Sequence, residues 1–173
     1  VVKDGTVYFA AGVWPFMGTF FYALDAATGE VVWQNTGEST NWQSQPHGGA
    51  AGFAGISPQG YIAATEERLV VSGGRSKPAI LDRHTGKILH TDVGGKGPGG
   101  YKVWTDGEFY YDNHECYQLE DGAQVKAPEP DGDEVMERAR KLAEEEGGEL
   151  FTAIAAQDRL FLTTLEGDLY CFG

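Results

Sequence analysis

The chain has 173 residues, a size that one domain can fill, and 41% of them are hydrophobic, enough for a core. Its formal net charge of −13 would repel a phosphate backbone, which argues against nucleic-acid binding. No apolar run is long enough to span a membrane. Glycine, at 25 residues, is unusually frequent, and most glycines punctuate short runs rich in Val, Ile, Tyr, Phe, Leu and Trp. That is the composition of many short strands joined by turns.

In chain order, the first recurring element is Asp4-Gly5-Thr6-Val7-Tyr8-Phe9. It returns around Glu67 to Val71, Asp106 to Tyr111 and Gln157 to Leu162. A second element follows each copy. It is clearest as Tyr22-Ala23-Leu24-Asp25, Thr28-Gly29 and Val31-Val32-Trp33, and again as Ala79-Ile80-Leu81-Asp82, Thr85-Gly86 and Ile88-Leu89-His90. In both, a strand meets an Asp that can accept turn amides, and a Gly permits positive φ before the next strand. An eroded third copy runs from Cys116 to Val125, and a fourth begins at Leu169. A further strand precedes the last three units, at Tyr61, Tyr101 and Phe151.

This pattern predicts an all-β chain of repeated four-stranded antiparallel units, with strands A to D in each. The units fall at residues 1–36, 56–93, 100–127 and 149–173, with an insertion at 128–148. The count predicts about fourteen strands, the first unit opening at strand B and the last closing at strand C. Such units stack as the blades of a β-propeller, and the missing strands at each end are expected of a fragment of a larger ring. The insertion predicts a helix over 132–146, with Asp133 as cap, Gly147-Gly148 as stop and a short apolar stripe through Ala139 and Ala143. This acidic helix is expected to be a solvated insertion.

Ala23-x-Asp25-x-x-x-Gly29-x-x-x-Trp33 resembles the tryptophan-docking motif of the PQQ-like, or quinoprotein-type, β-propeller repeat. Asp82 and Gly86 repeat its turn, with His90 at the Trp position. The resemblance implies that the Trp packs on a neighbouring blade. It also implies a periplasmic or cell-envelope setting. Family enzymes bind pyrroloquinoline quinone beside calcium, often next to adjacent cysteines, whereas other members are non-catalytic scaffolds. The two cysteines here, Cys116 and Cys171, are not adjacent. The expectation is therefore a non-catalytic binding or scaffold module with no catalytic, cofactor or metal residues. The alternative is part of a quinoprotein dehydrogenase that holds quinone and calcium mostly outside this segment.

The A–B and C–D turns are short. The long connections, at 11–19, 37–59, 72–78, 92–100 and 126–148, are all of the B–C or D–A kind and fall on one face. Trp14, Trp42, His47 and Arg75 lie in them, and they are the expected contacts for a protein partner or small ligand. The remaining blades of the same propeller are the other expected partner. Asp112-Asn113-His114-Glu115-Cys116 holds metal-capable groups, but it is better read as a polar turn followed by a buried Cys. The glycines at 48–55 lack the strand-to-helix frame of a phosphate loop.

Overall fold

The computed structural model describes residues 1–12, 18–37, 41–44, 51–54, 56–74, 76–92, 99–112, 115–126, 132–156 and 159–172. The chain forms two compact units, Val1–Lys126 and Ala127–Gly173.

The first unit holds three four-stranded antiparallel sheets and one hairpin. Sheet 1 comprises β1 (Val2–Lys3), β2 (Thr6–Ala11), β3 (Phe20–Asp25) and β4 (Val31–Asn35). A two-stranded hairpin, β5 (Asn41–Ser44) with β6 (Ala51–Ala54), interrupts the connection to sheet 2. Sheet 2 comprises β7 (Ile62–Ala64), β8 (Arg68–Gly73), β9 (Ser76–Asp82) and β10 (Ile88–His90). Sheet 3 comprises β11 (Val103–Thr105), β12 (Phe109–Asp112), β13 (Glu115–Gln118) and β14 (Gln124–Val125). Every strand within a sheet pairs with its sequence neighbour, the up-and-down order of a propeller blade.

Strand alternation explains how the blades stack. In sheet 2, Leu69, Val71, Ala79 and Leu81 point backward and join Tyr8, Phe21 and Ala23 of sheet 1 in one buried cluster. The intervening Val70 and Ile80 point forward and pack with Val103, Tyr110, Tyr117 and Leu119 of sheet 3. One sheet is thus apolar on both faces, and successive residues serve different neighbours. Burying each such side chain contributes on the order of 2 kcal/mol, so neither face can be left bare without loss.

Strand hairpins repeat with a fixed register. Thr65 bonds Arg68 across a two-residue turn, as Asp106 bonds Phe109. Lys3 pairs with Thr6, and Ala156 with Arg159, in the same way. Val7, Leu69, Tyr110 and Leu160 are therefore equivalent positions, and so are Phe9, Val71, Asp112 and Leu162.

The second unit contains α1 (Gly132–Glu145) and sheet 4, built from β15 (Leu150–Ala156), β16 (Arg159–Thr164) and β17 (Leu169–Phe172). Ala139 and Ala143 of α1 are fully buried against Leu160 and Leu162, with Leu142, Leu150, Ala153, Tyr170 and Phe172 around them. The helix is thus an amphipathic cover for the backward face of sheet 4, which corrects its reading as a solvated insertion. It begins at Gly132, ahead of the expected cap Asp133. It ends where the Gly148 N–H donates to the Ala143 carbonyl at 2.9 Å.

Other expectations need correction. The described residues hold seventeen strands rather than about fourteen, because β1, β5 and β6 escaped the pattern. Sheet 1 therefore has a strand A, the two-residue β1. The supposed long connection at 72–78 is mostly strand: β8 runs to Gly73 and β9 starts at Ser76. Lys77 stands in β9, paired with Asp92 at 3.0 Å.

Candidate functional site

The turns between strands C and D come first, because they set the blade junctions. The Asp25 carboxylate accepts the Ala27 and Thr28 amides at 2.9 and 2.8 Å and the Thr28 hydroxyl at 3.1 Å. These bonds, the Thr28 amide foremost, hold its pKa below the usual carboxylate value. Asp82 does the same for His84 and Thr85. Burial pushes Asp82 up, but the Thr85 and His84 bonds outweigh it and leave the carboxyl low.

Gly86 closes the second of these turns at φ 71°, and a methyl on it would overlap the Trp33 ring. The half-buried Trp33 indole donates to the Arg83 carbonyl at 2.8 Å, and Asn35 Nδ2 donates to the Gly86 carbonyl at 2.8 Å. Gly122 of sheet 3 has φ 72°, and a methyl there would overlap His90. Trp33 and His90 thus sit on equivalent glycines of the following sheet. Ala23, also of this motif, is buried in the first cluster. Arg83 reinforces the first junction: its guanidinium reaches Asp4 at 2.9 Å and the Glu66 carbonyl at 2.6 Å. These residues hold blades together.

At the opposite end of the sheets, where the B–C and D–A connections emerge, the surface is aromatic. Trp42, on β5, is 65% exposed. Tyr61 and Tyr101 are exposed at the starts of the inner strands of sheets 2 and 3, and the Tyr61 amide donates to the Tyr101 carbonyl at 2.8 Å. Lys102 Nζ lies 5.7 Å from the Tyr101 ring centroid, a cation–π distance. Of the four expected contacts, only Trp42 is described. Trp14, His47 and Arg75 lie outside the described residues, as does His114.

Beneath this end stands a residue that sequence reasoning passed over. Asp112 is fully buried at the end of β12, at a repeat position where the other sheets carry Phe9, Val71 and Leu162. Neither carboxylate oxygen has a hydrogen-bond partner among the described residues, and the Tyr110 and Tyr117 hydroxyls are likewise buried without one. The two phenol rings stack at 4.9 Å. Burial pushes the Asp112 pKa up to about 6, a rise that the nearby Gly100 amide tempers without reaching hydrogen-bonding geometry. Burial also raises Tyr117, to about 12, and Tyr110 further, with the neighbouring Tyr117 and Asp112 adding to the latter. An orphaned carboxylate beside two phenols calls for hydrogen-bond donors, from ordered water or from a ligand's ammonium or guanidinium group. The signal in the sequence was the break in the apolar repeat at this one position.

Among the described residues no three His, Cys, Asp or Glu gather around a common point. Calcium takes six to eight oxygen ligands, whereas the buried cluster offers one carboxylate and two neutral phenols. Cys116 is buried in sheet 3 and Cys171 exposed in sheet 4. A shallow acidic hollow of about 480 Å³ lies at the A–B and C–D end between sheets 2 and 3, lined by Glu66, Glu67, Glu108 and Glu120 with Arg68. No helix among the described residues is long and apolar enough to cross a membrane.

No family model matches the chain, and no curated protein matches it in sequence. Solved structures do. The chain is similar to BamB from Moraxella catarrhalis at 14% identity and TM-score 0.51, covering 99% of this chain and 41% of that one. It spans about two fifths of that protein's length. A europium-containing methanol dehydrogenase matches over 72% of this chain and 23% of its own, at 16% identity and TM-score 0.47. Quinohemoprotein alcohol dehydrogenase from Comamonas testosteroni matches over 95% and 28%, at 16% identity and TM-score 0.46. Up-and-down sheets, two-faced packing and the likeness to BamB agree: the chain has the fold of a β-propeller segment.

Proposed function

We propose that this propeller segment is a non-catalytic binding or scaffold module whose partner, a protein or a small ligand, docks on the B–C/D–A face. One observation carries the proposal. Exposed aromatic rings, Trp42, Tyr61 and Tyr101, stand on or beside the connections of that face, and at the end of β12 Asp112 is a buried carboxylate with no hydrogen-bond partner among the described residues. Large amphipathic rings at low entropic cost are what recognition surfaces use. Trp14, His47 and Arg75, which the sequence assigns to connections of the same kind, complete the proposed contact set. Asp112 favours partners that bring a cationic or donor-rich group. Conserving a propeller does not conserve chemistry, so the fold alone assigns no reaction.

The second reading, a segment of a quinoprotein dehydrogenase, rests on the same fold but on no cluster of ligands in the described residues. Two measurements separate the readings. Titration with quinone plus calcium, followed by dye-linked alcohol oxidation, should give neither binding nor turnover; micromolar binding with activity would overturn the scaffold reading. Affinity capture should recover a partner that is lost when Trp14, Trp42, His47 and Arg75 are replaced together. A partner retained by that variant would show that a different face is used.

A further inference from the structure

The face that sheet 3 turns towards Val70 and Ile80 of sheet 2 is apolar over most of its length and polar at one end. There Tyr110 pairs with Tyr117, and Asp112 with Glu115, so these four side chains share the face. Tyr110, Tyr117 and Asp112 are each 0% exposed. Among the described residues, every buried side-chain polar atom without a hydrogen-bond partner belongs to these three, apart from the Thr163 hydroxyl in sheet 4. The phenol rings stack at 4.9 Å. Burial raises both phenols first, and the charges of Asp112 and Asp92 add to the rise in each.

The cluster lacks a positive charge. Lys77 answers Asp92, at 3.0 Å, and Glu115 accepts a hydrogen bond from Gln124 Nε2. Neither Asp112 oxygen has a partner among the described residues. A carboxylate taken fully out of water is tolerated when it is paired or bound to a metal ion.

We propose that the Asp112 carboxylate and the Tyr110 and Tyr117 hydroxyls bind one desolvated alkali cation, sodium or potassium, in the junction between sheets 2 and 3. Charge selects a monovalent ion: one carboxylate balances it, whereas a divalent ion would leave excess charge buried. Ligand type agrees, because all the orphaned atoms are oxygens, the atoms that replace water around an alkali ion. A partner's ammonium or guanidinium could bring the same charge, but at 0% exposure the smallest carrier fits best. The bound ion offsets the cost of the ionised carboxylate, so its binding is read as stability. The proposal rests on the orphaned oxygens and not on the docking face.

Urea denaturation of the whole chain at pH 7.5 in sodium, potassium or choline chloride, at equal ionic strength, tests this. Choline keeps screening constant and is too large for the site. A site half-filled at about 10 mM should raise the folding equilibrium constant about twentyfold at about 200 mM, and saturably. Asp112→Asn keeps the shape and removes the charge. It should lose the cation response, so its advantage over wild type in choline should shrink in the alkali salt that binds. Tyr110→Phe with Tyr117→Phe should move half-filling to higher concentration. Sodium-23 relaxation gives a direct reading: the wild-type chain should broaden the line, potassium should compete, and Asp112→Asn should abolish the effect whatever its stability. Equal midpoints in the three salts would overturn the proposal and leave the carboxylate to water or to a partner's cation. A response that survives Asp112→Asn would place the ion elsewhere and refute it too. Failed partner capture with the salt response intact would sink the docking reading and support this one.

Discussion

The Trp33 ring lies flush on Gly86, fifty-odd positions along the chain, with its indole N–H bonded to the Arg83 carbonyl at 2.8 Å. Glycine at this position meets two demands, a φ of 71° and the absence of a side chain. Gly29 meets only the first, with φ 75° and open space beside it. Gly29→Ala should therefore cost only the backbone term, about 1 kcal/mol, while Gly86→Ala should cost about 2 kcal/mol or more. Urea denaturation of both variants reads the difference, and equal losses would mean that the ring's seat contributes nothing.

Removing the ring tests the junction from the other side. Trp33 is half-buried, so Trp33→Ala should destabilise by about 3 kcal/mol, the low end for a large aromatic. Trp33→Phe keeps most of the packing and loses the indole bond, about 1 kcal/mol. Denaturation midpoints in that order are expected, and a Phe variant as unstable as the Ala one would place the weight on the hydrogen bond.

Asp112 should make stability depend on pH in a recognisable direction. Its folded pKa is raised to about 6 from an ordinary 3.8, so the folded state holds the proton more tightly than the unfolded state. The resulting penalty is absent below about pH 4, grows as pH rises towards 6 and is complete above it, on the order of 2 kcal/mol. Glu115 stands opposite it in register. Carboxylates held low, such as Asp25, act oppositely as pH falls, so the Asp112 contribution is read as a difference. Asp112→Asn should be more stable than wild type at pH 7.5 and lose that advantage at pH 4. An unchanged difference between the two pH values would mean that the carboxylate is not buried in the ionised form.

Arg83 is nearly enclosed, yet it serves Asp4, the Glu66 carbonyl and the Tyr8 hydroxyl at 2.9, 2.6 and 3.4 Å. A lysine cannot reproduce that fork. Arg83→Lys should cost about 1–2 kcal/mol, measured by urea denaturation. Because Asp4 is exposed, only a modest part of the loss should vanish in high salt.

Much of this architecture was legible in the residues, and the exceptions have physical reasons. The Asp25 and Asp82 turns announced themselves because each carries a side-chain acceptor and a glycine at fixed spacing. β1 did not, since two residues hold no periodicity. The β5–β6 hairpin hid because glycines and a polar stretch broke its alternation. The 72–78 segment looked like a loop because Gly73, Gly74 and Pro78 resemble punctuation, whereas Pro78 is in fact buried within β9. Asp112 was mistaken for the start of a turn because Asn113 and His114 follow it. Its strand neighbour Tyr110 packs with Val70 and Ile80 of another sheet, a tertiary contact that no local pattern could reveal. The covering role of α1 was missed for a similar reason: two alanines make a narrow stripe, and only the sheet they touch shows it to be enough.

The cover that α1 gives sheet 4 has a kinetic consequence. In the first unit the bonds that join blades span long stretches of chain: 50 residues from Trp33 to Arg83 and 75 from Arg83 to Tyr8. Loops of that length must close before any of the burial is gained. In the second unit, helix and strands lie within 47 residues, from Ala127 to Gly173. Such low contact order favours early, fast formation. The helix-covered segment is thus the one suited to acquire its core first, while the three blades before it wait on distant encounters.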